Sequence, residues 1–531
     1  MTTRIAYYLL IKKWICISLL FVLPLTIFAQ SGIINIVEKG ADATGKTMVS
    51  SIINQQIDSL AQKSGGTIFI PAGNYLCGPI FLKSNITLHL DAGATLHFSD
   101  NFDDYLPMVQ SRWEGVRVKT FASPIYAIDA HNVAIKGEGH FEGHGEKWWS
   151  YMYQIRQENI SDSKWQKIFA EENKEMLEEN EYLPRMRNFL RPPMVMFYNC
   201  NNVSIEGVSF SNPPFWTIVP TFSQNVTIHN VTIENNAHSP NTDGIDPSSC
   251  RNVHISDCHI TVGDDCIVIK SGRDEDGRAA GVATENITIT NCTMLNGHGG
   301  VVIGSEMSGG VKRVTISNCV FEGTDRGIRL KTMRGRGGLV EDVRVSNIVM
   351  RNIVKEGIMM NMRYGTTEIE PVSERTPQFR RIQFSNINIV EAKRGIAIYG
   401  LEERSVEQVS FTDLYIEAEQ GIYGNYANNL IFDNIRLETP STKPLEFVKC
   451  NNISINQFSL LKPVENTTAI SLEDCQMIRL SNCFQTDSVS LFLKADQNCK
   501  NIYLINNVLP GVEKVIDLPS MDEVTEINTV H

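Results

Sequence analysis

The stretch that decides the fold reads NNVSIEGVSF at residues 201–210, QNVTIHNVTI at 224–233 and RNVHISDCHI at 251–260. The same short phrase begins at eleven positions along the chain: Asn202, Asn225, Asn252, Asn286, Arg313, Asp342, Arg381, Gln408, Asn429, Asn452 and Met477. The gaps run from 21 to 39 residues. Such spacing is too irregular for a helical array and is typical of stacked strands whose connecting loops vary.

Positions within the phrase behave alike from copy to copy. The third and sixth residues after the start are apolar, and four cysteines take the sixth position in some copies: Cys258, Cys292, Cys319 and Cys483. The fifth residue is mostly one that tolerates a tight turn: Gly207, Asn230, Asp257, Asn291, Asn318, Asn347, Asn386, Asp413, Asn434, Gln457 and Asn482. The pattern predicts a strand, a one-residue corner and a second strand in each coil, with equivalent side chains stacked about 4.8 Å apart. This is an all-β parallel β-helix, a solenoid, in which the cysteines fill the interior.

The N-terminal segment has a different composition. Three basic residues precede an apolar run of 16 residues that ends at Ala29, which is shorter than the ~20 residues of a membrane-spanning helix. We therefore expect a cleaved export signal at 1–29, one β-helix domain over 30–531, and a secreted or periplasmic protein with no stable membrane insertion. The remaining chain holds 45 Lys and Arg against 60 Asp and Glu, a net charge of −15, which argues against general binding of nucleic acid.

Two segments depart from the strand pattern. Residues 49–62 have apolar residues at helical spacing, which predicts an N-terminal helix that caps the open end of the solenoid. Residues 150–192 are rich in long and charged side chains and end at the first of two consecutive prolines. This predicts a helical insertion rather than a separate domain.

Polar residues unusual for a stacked strand recur in four successive coils, 12 to 18 residues after the coil start. They are Asp243 in NTDGID, Asp264 and Asp265 in GDDCIVIKSG, His298 in GHGGVVIGSE, and Arg329 and Lys331 in RGIRLKT. We expect all of them on one face, spanning about 14 Å over four rungs, which suits a groove for a few sugar units. Asp264 and Asp265 are neighbours with opposite parity, so a shared site requires bends, for which Gly244 and Gly263 are well placed.

Three carboxylates in adjacent rungs match the needs of a glycosidase: one protonated acid for the leaving oxygen and ionised partners for a water. Like charges nearby raise the pKa of one member, so the group retains a proton. Residues 326–336 contain five basic residues and no acidic one, which favours a substrate that carries carboxylates. Asp246 is interpreted as a turn residue before Pro247.

In these motifs the chain resembles glycoside hydrolase family 28, the polygalacturonase family, whose motifs NTD, DD, GHG and RxK occur here in order. The resemblance runs from about Gly40 to Cys483. It implies a right-handed parallel β-helix and inverting hydrolysis of galacturonide bonds in pectic poly- or oligosaccharides, without metal or cofactor. It also implies roles by motif: Asp264 as general acid, Asp243 and Asp265 as water-holding groups, His298 as orienter, and Arg329 and Lys331 as ligands of the substrate carboxylate.

Four long excursions interrupt the coils, at 99–125, 150–192, 273–285 and 364–380. Loops on the site side of the acid-bearing coils would wall off one end of the groove, which predicts an exo-acting enzyme. We also expect a monomer.

Three alternatives remain at this stage. The first is a hydrolase of rhamnogalacturonan or xylogalacturonan on the same fold. The second is a polyuronate lyase, which would need a Ca²⁺ cage and a basic proton abstractor. The third is a non-catalytic glycan-binding β-helix, which gives the three aspartates no reason to converge.

Overall fold

The computed structural model describes residues 32–179, 189–365, 368–519, 523–527 and 529–530. The export signal expected at 1–29 lies outside these residues. Within the described ranges, no helix combines the length and the apolar character that crossing a bilayer requires.

Apart from one antiparallel hairpin, the described strands stack in parallel on three faces of a right-handed β-helix, as predicted. Face A comprises Gly32–Asn35, Gly66–Ile70, Ile86–Leu90, His131–Gly137, Asn201–Glu206, Gln224–His229, Arg251–Ser256, Thr284–Thr290, Gln476–Ser481, Lys500–Ile505 and Val524–Ile527. Face B comprises Thr44–Met48, Gly73–Cys77, Ala94–Phe98, His140–Glu142, Ser209–Ser211, Thr232–Glu234, His259–Thr261 and Thr293–Leu295. Face C comprises Ile80–Phe81, Ile125–Ile128, Val195–Tyr198, Ile218–Thr221, Asp265–Ile269, Gly299–Gly304, Ile328–Lys331, Leu445–Val448, Thr468–Glu473, Val489–Ala495 and Val512–Asp517. Longer strands run round the corners from face A: Val311–Glu322, Leu339–Asn361, Gln378–Tyr399, Val406–Asn425, Ala427–Glu438 and Asn451–Leu461.

The register of face A follows the repeat found in the sequence. Ile205 pairs with Ile228, which pairs with Ile255 in the next coil, and all three are fully buried. The four cysteines of the sixth position are buried in the same core. The predicted interior positions are therefore confirmed.

The corners explain the polar positions of the repeat. All eleven residues predicted to turn have a positive φ, between 52° and 79°. The residue that begins each phrase is left-handed too, with φ between 53° and 63°, so each coil bends at both ends of this short strand. At this second corner the side-chain amides stack: Asn252 Nδ2 donates to Asn225 Oδ1 at 3.0 Å, and Asn286 Nδ2 donates to Asn252 Oδ1 at 2.9 Å. Asparagine is favoured here because it tolerates the left-handed backbone and also bonds to its neighbour one rung away.

The N-terminal end of the solenoid is closed by a helix at Ser50–Ala61, as predicted for residues 49–62. Its inner side buries Ile53, Ile57 and Leu60 against strand Gly66–Ile70. Apolar residues that the first coil would otherwise expose are thus covered.

Short helical segments also occur at Val37–Lys39, Phe102–Tyr105 and Asp274–Ala280.

Two excursions pack on each other beside face C. One contains an antiparallel hairpin of Val109–Trp113 and Val116–Thr120, and the other contains helices Glu146–Glu158, Lys164–Glu172 and Lys174–Glu179. Between them lies an aromatic cluster separate from the solenoid interior, which we call the side core: Phe102, Trp113, Phe121, Trp148, Phe169, Phe189, Phe215 and Trp216 are among its members. Phe102 and Trp148 have ring centroids 4.4 Å apart.

Candidate functional site

The three aspartates of the motifs converge on face C. Asp265 begins strand Asp265–Ile269, whereas Asp243 and Asp264 lie in bends just before Gly244 and just after Gly263. A side chain at Gly244 would approach the Cys266 carbonyl to 2.4 Å, and one at Gly263 would approach the Ser239 carbonyl to 2.5 Å. The bends that the sequence required are present, and both need glycine because neighbouring backbone lies so close.

One carboxylate oxygen from each of Asp243, Asp264 and Asp265 lies within 4.8 Å of the others. Asp243 and Asp265 are buried, and Asp264 is half-buried. Burial, together with the charges of Asp264 and Asp246, raises the pKa of Asp243 well above its ordinary value. The cluster therefore retains a proton that belongs to the set rather than to one residue.

Each aspartate has a different basic neighbour. Lys331 Nζ donates to Asp265 Oδ2 at 2.7 Å, and Lys270 Nζ lies 3.9 Å from Asp243 Oδ2. His298 Nδ1 lies 3.1 Å from Asp264 Oδ1, and this hydrogen bond raises the pKa of His298. Burial acts to raise the pKa of Asp265, but Lys331, Arg329 and Lys270 outweigh it and the pKa is lowered.

Asp264 and His298 are also joined through the backbone. The His298 N–H donates to the Asp264 carbonyl at 2.8 Å, and the Asp265 N–H donates to Asp264 Oδ1 at 3.0 Å. The Asp264 carboxyl is therefore held in place from two coils while it stays open to the groove. This is the arrangement required of a group that exchanges a proton with a substrate.

The basic stretch 326–336 is largely neutralised by acids from other coils. Arg326 pairs with Glu356 at 2.8 Å, Arg334 with Glu403 at 2.6 Å and Arg336 with Asp274 at 2.5 Å. Three of the five basic residues counted in the sequence are therefore paired with acids, because a local count of charges does not show long-range pairing. Arg329 is buried too, and its Nε, like that of Arg336, has no hydrogen-bond partner among the described residues.

Arg329 and Lys331 both point to the same side of their strand. Ile328 and Leu330 of this strand lie in the solenoid core, as the alternation predicted. The ring of Tyr364 covers both cations, with centroid distances of 5.3 Å to the Arg329 guanidinium and 5.5 Å to Lys331 Nζ. The pair forms the floor beneath an exposed aromatic ring.

The aspartates open into a polar cavity of about 270 Å³. Three of the four excursions line it, through Glu114, Arg273 and Tyr364. The described residues of the fourth, at 150–179 and 189–192, do not line the cavity but brace it, because the buried Arg191 guanidinium donates to Asn241 Oδ1 at 2.8 Å and Asn241 is a lining residue.

The hairpin is fastened to the coils around its tip. Arg112 Nη1 donates to Ser249 Oγ at 2.7 Å, and the Gly115 carbonyl accepts from the Arg273 N–H at 3.0 Å. Glu114 and Arg273 form an ion pair of 2.9 Å, and Arg117 pairs with Asp276 at the same distance. The hairpin is therefore a fixed wall of the cavity.

Sequence reasoning missed three charged residues at the site. Lys270 and Glu306 lie inside the quoted motifs, and both line the cavity. Asp246, interpreted as a turn residue, is fully buried beside them, and burial raises its pKa well above the ordinary value. The alternation of the strand could have indicated Lys270. Ile267 and Ile269 face the core, so the side chain of Lys270 is expected on the outer face.

The three aspartates also form, within the described ranges, the one group of three acidic or histidine side chains spaced for a metal ion. Lys331 and Lys270 already supply positive charge to two of them. Two of the three carboxylates are therefore already compensated by cations of the protein.

Comparisons with known proteins agree with this geometry. Residues 186–421 match the model of glycosyl hydrolases family 28. A hyperthermoactive exopolygalacturonase from Thermotoga maritima is 36% identical, with 76% of this chain and 91% of that chain covered and a TM-score of 0.69. The family 28 exopolygalacturonase of Yersinia enterocolitica is 25% identical, with 80% and 79% covered and a TM-score of 0.68. A probable polygalacturonase from Vitis vinifera is 30% identical, and the match covers 62% of this chain and 63% of that relative's length.

An acid cluster in a cavity on a right-handed parallel β-helix, with these relatives, defines a glycoside hydrolase. The chain belongs to glycosyl hydrolases family 28, the polygalacturonase family.

Proposed function

We propose that this enzyme, exported through its first 29 residues, hydrolyses galacturonide bonds at the ends of pectic chains and releases single galacturonic acid units. The observation that carries the proposal is the acid-lined cavity of about 270 Å³ with the hairpin tip as its wall. Pockets for drug-sized ligands start at roughly 300 Å³, so this one has room for little more than one sugar unit.

In this proposal Asp264 protonates the glycosidic oxygen. It is the least buried of the three aspartates, and His298 and the Asp265 N–H fix its orientation. Asp243 and Asp265 together hold and activate the water. Their convergence within 4.8 Å argues against a non-catalytic scaffold, which gives no reason for three carboxylates to share one cavity.

Arg329 binds the uronate carboxylate of the substrate. Its unpaired Nε and its place under Tyr364 suit a charge-assisted hydrogen bond to a sugar acid. Lys331 would serve both the substrate carboxylate and Asp265, because its ammonium group is already 2.7 Å from Asp265. Substrate binding would then draw on a cation that also keeps Asp265 ionised.

Inversion of configuration is part of the proposal. Acid and base carboxyls of a two-carboxylate inverting enzyme stand about 6.5–9.5 Å apart. Here the nearest oxygens of the three aspartates lie within 4.8 Å of one another, which is shorter than that spacing, so the proposal of inversion depends on a water held jointly by Asp243 and Asp265. Proton NMR of the first product decides this, and retention would remove the water-holding role from both residues.

The exo mode follows from the wall. A polymer running along face C would collide with the hairpin tip at Glu114, whereas a chain end fits against it. The relatives named exopolygalacturonase in Thermotoga maritima and Yersinia enterocolitica support the same mode.

The test is a time course on polygalacturonate that follows viscosity and reducing ends together. We expect galacturonic acid as the first product while viscosity falls slowly. Early collapse of viscosity with a ladder of oligomers would show internal cleavage. Rhamnose-containing and xylose-bearing pectic fragments are included as competing substrates, and faster hydrolysis of either would redirect the substrate assignment.

A further inference from the structure

Lys270 is a buried lysine between two carboxylates. Its side chain is 4% exposed, and its Nζ lies 3.1 Å from Glu306 Oε2 and 3.9 Å from Asp243 Oδ2. The ring of Trp216 covers the ammonium group, with 4.5 Å between Nζ and the ring centroid. Lysine is almost never fully buried unless it is paired, so this position must be stabilised by the two acids.

Glu306 fixes the lysine from the neighbouring coil. Strand Asp265–Ile269, which leads into Lys270, pairs with strand Gly299–Gly304, which leads to Glu306. The Ser271 N–H donates to the Glu306 carbonyl at 2.7 Å, so the two side chains are held side by side by the backbone register. Burial acts to lower the pKa of Lys270, but Glu306, Asp243 and Asp246 outweigh it and raise the pKa well above its ordinary value.

We propose that Lys270, held in place by Glu306, is a positioning residue that stabilises the charged form of Asp243 against burial and the neighbouring acids, so that Asp243 can give up its proton and activate the water. The proposal rests on the hydrolytic function proposed above and assigns a division of labour within it. Lys331 serves Asp265, Lys270 serves Asp243, and Asp264 has a histidine instead of a lysine. The carboxyl without a lysine is the one that the proposed function assigns to the glycosidic oxygen.

The surroundings of Asp243 leave this task to Lys270. Burial and the acidic groups Asp264, Asp246 and Asp265 raise the pKa of Asp243, and Lys270 lowers it. Two more groups feel the Asp243 charge: the neighbouring thiol Cys266, whose pKa rises mainly through burial, and Arg191, which is bonded to Asn241 and carbonyl groups. Removal of Lys270 would therefore take the nearest described cation away from Asp243, which already has three acidic neighbours.

Removal of Lys270 should shift the pH profile of kcat in a defined direction. A base must be deprotonated, so the acidic limb of the kcat profile follows the pKa of Asp243. Removing Lys270 raises that pKa, and the limb moves to higher pH by about one unit or more, as for loss of an opposite charge within 4–6 Å. A purely structural lysine would lower activity at every pH and leave the limb where it was.

The test uses Lys270→Met and Lys270→Arg in the full chain, with kcat and KM measured against pH on trigalacturonate. We expect Lys270→Met to lose about 100-fold in kcat at the parent's optimum, with the limb shifted upward. KM should change little. Lys270→Arg keeps the charge and should restore the position of the limb. Arg334→Met is the control, because it breaks an ion pair with Glu403 whose side chains are only 9% and 10% exposed and which does not line the cavity.

A second measurement reads Asp243 without any substrate. Carbon NMR of protein labelled at the aspartate carboxyls, with the Asp243 signal assigned through Asp243→Asn, gives its titration midpoint in the parent and in Lys270→Met. If Lys270→Met does not fold, the double variant with Lys270→Met and Glu306→Gln replaces it, because this variant removes both charges of the buried ion pair. An unchanged midpoint, or an equal change in Arg334→Met, overturns the proposal. Absence of galacturonic acid release by the parent would instead overturn the proposed function while the midpoint still decides the role of Lys270.

Discussion

The coils that carry the site and the coils that follow them are built from the same repeat but differ in regularity. Between residues 378 and 461, strands Gln378–Tyr399 and Val406–Asn425 run unbroken round all three faces, and the rings of Phe384, Phe411 and Phe432 stack at 5.1 and 4.9 Å. Between residues 214 and 331, the strands other than Val311–Glu322 are short and separated by bends. Both ranges are fully described.

The buried charge differs as sharply. Seven charged side chains are buried between 214 and 331: Asp243, Asp246, Asp265, Lys270, Glu306, Arg329 and Lys331. None is buried between 378 and 461. Burying charge costs free energy unless the groups are paired, so its concentration in the irregular coils marks the place where function rather than stability selected the residues. Equal substitutions made in the two regions separate these demands.

The largest expected effect is that of Asp264→Asn. It removes the proton donor with little change in volume, so turnover should fall by about 10²–10⁴-fold while the melting temperature stays close to the parent's. The same change in a regular coil, Asp413→Asn, replaces a corner residue that accepts from Asn434 Nδ2 at 2.7 Å and should leave turnover unchanged. Initial rates on oligogalacturonates measure both. A loss below about tenfold in Asp264→Asn would contradict its role as the acid.

The second effect concerns charge recognition at Arg329. We expect Arg329→Met to reduce kcat/KM by about 10–100-fold on free-acid oligomers, because it removes a hydrogen bond to a charged group, and far less on methyl-esterified ones. Lys331→Met should impair both substrates, since it also deprives Asp265 of its cation.

Arg380→Met provides the control in the regular coils, where Arg380 pairs with Glu341 at 2.8 Å. It should alter neither substrate. Equal losses on acid and ester in Arg329→Met would assign that residue to packing instead of recognition.

The third effect is on product length. Arg112→Met unties the hairpin from Ser248 and Ser249, so the wall should loosen and di- and trigalacturonate should appear several-fold more often among early products. Monomer release should fall by less than about tenfold, because the acid cluster is untouched. Chromatography of the first products measures the ratio, with Arg380→Met again as control. An unchanged ratio would show that the hairpin does not set the exo mode.

The smallest effect is that of chelation. Lys270 and Lys331 provide the positive charge beside the aspartates, so EDTA should leave the rate unchanged in both parent and Asp413→Asn. Restoration by added Ca²⁺ after a loss would favour the lyase mechanism instead.

Much of the solenoid was predictable because its signals are local. The apolar third and sixth positions and the turn-forming fifth position lie within one short phrase, and each is dictated by the backbone of a single corner. The shared face of the aspartates was predictable for the same reason, since each follows its own coil start at a similar distance. The bends at Gly244 and Gly263 were visible as departures from parity.

The pairing of charges was not predictable. Glu114 meets Arg273, 159 residues later, and Lys331 meets Asp265 through a gap of 66 residues. Such contacts depend on how many residues each coil spends on its loops, which no periodicity records. Arg326, Arg334 and Arg336 therefore looked like a substrate patch, although each is paired with an acid from another coil.

The side core has a consequence for how such an enzyme changes over evolutionary time. Because the hairpin and the helical excursion are packed largely on each other, through rings such as Phe102, Trp148 and Phe189, they form an accessory module with its own cohesion. Variation in that module would reshape one end of the groove while the stacked coils keep their spacing. Under the proposed exo mode, the choice of a chain end and the catalytic chemistry would thus depend on separable parts of one chain.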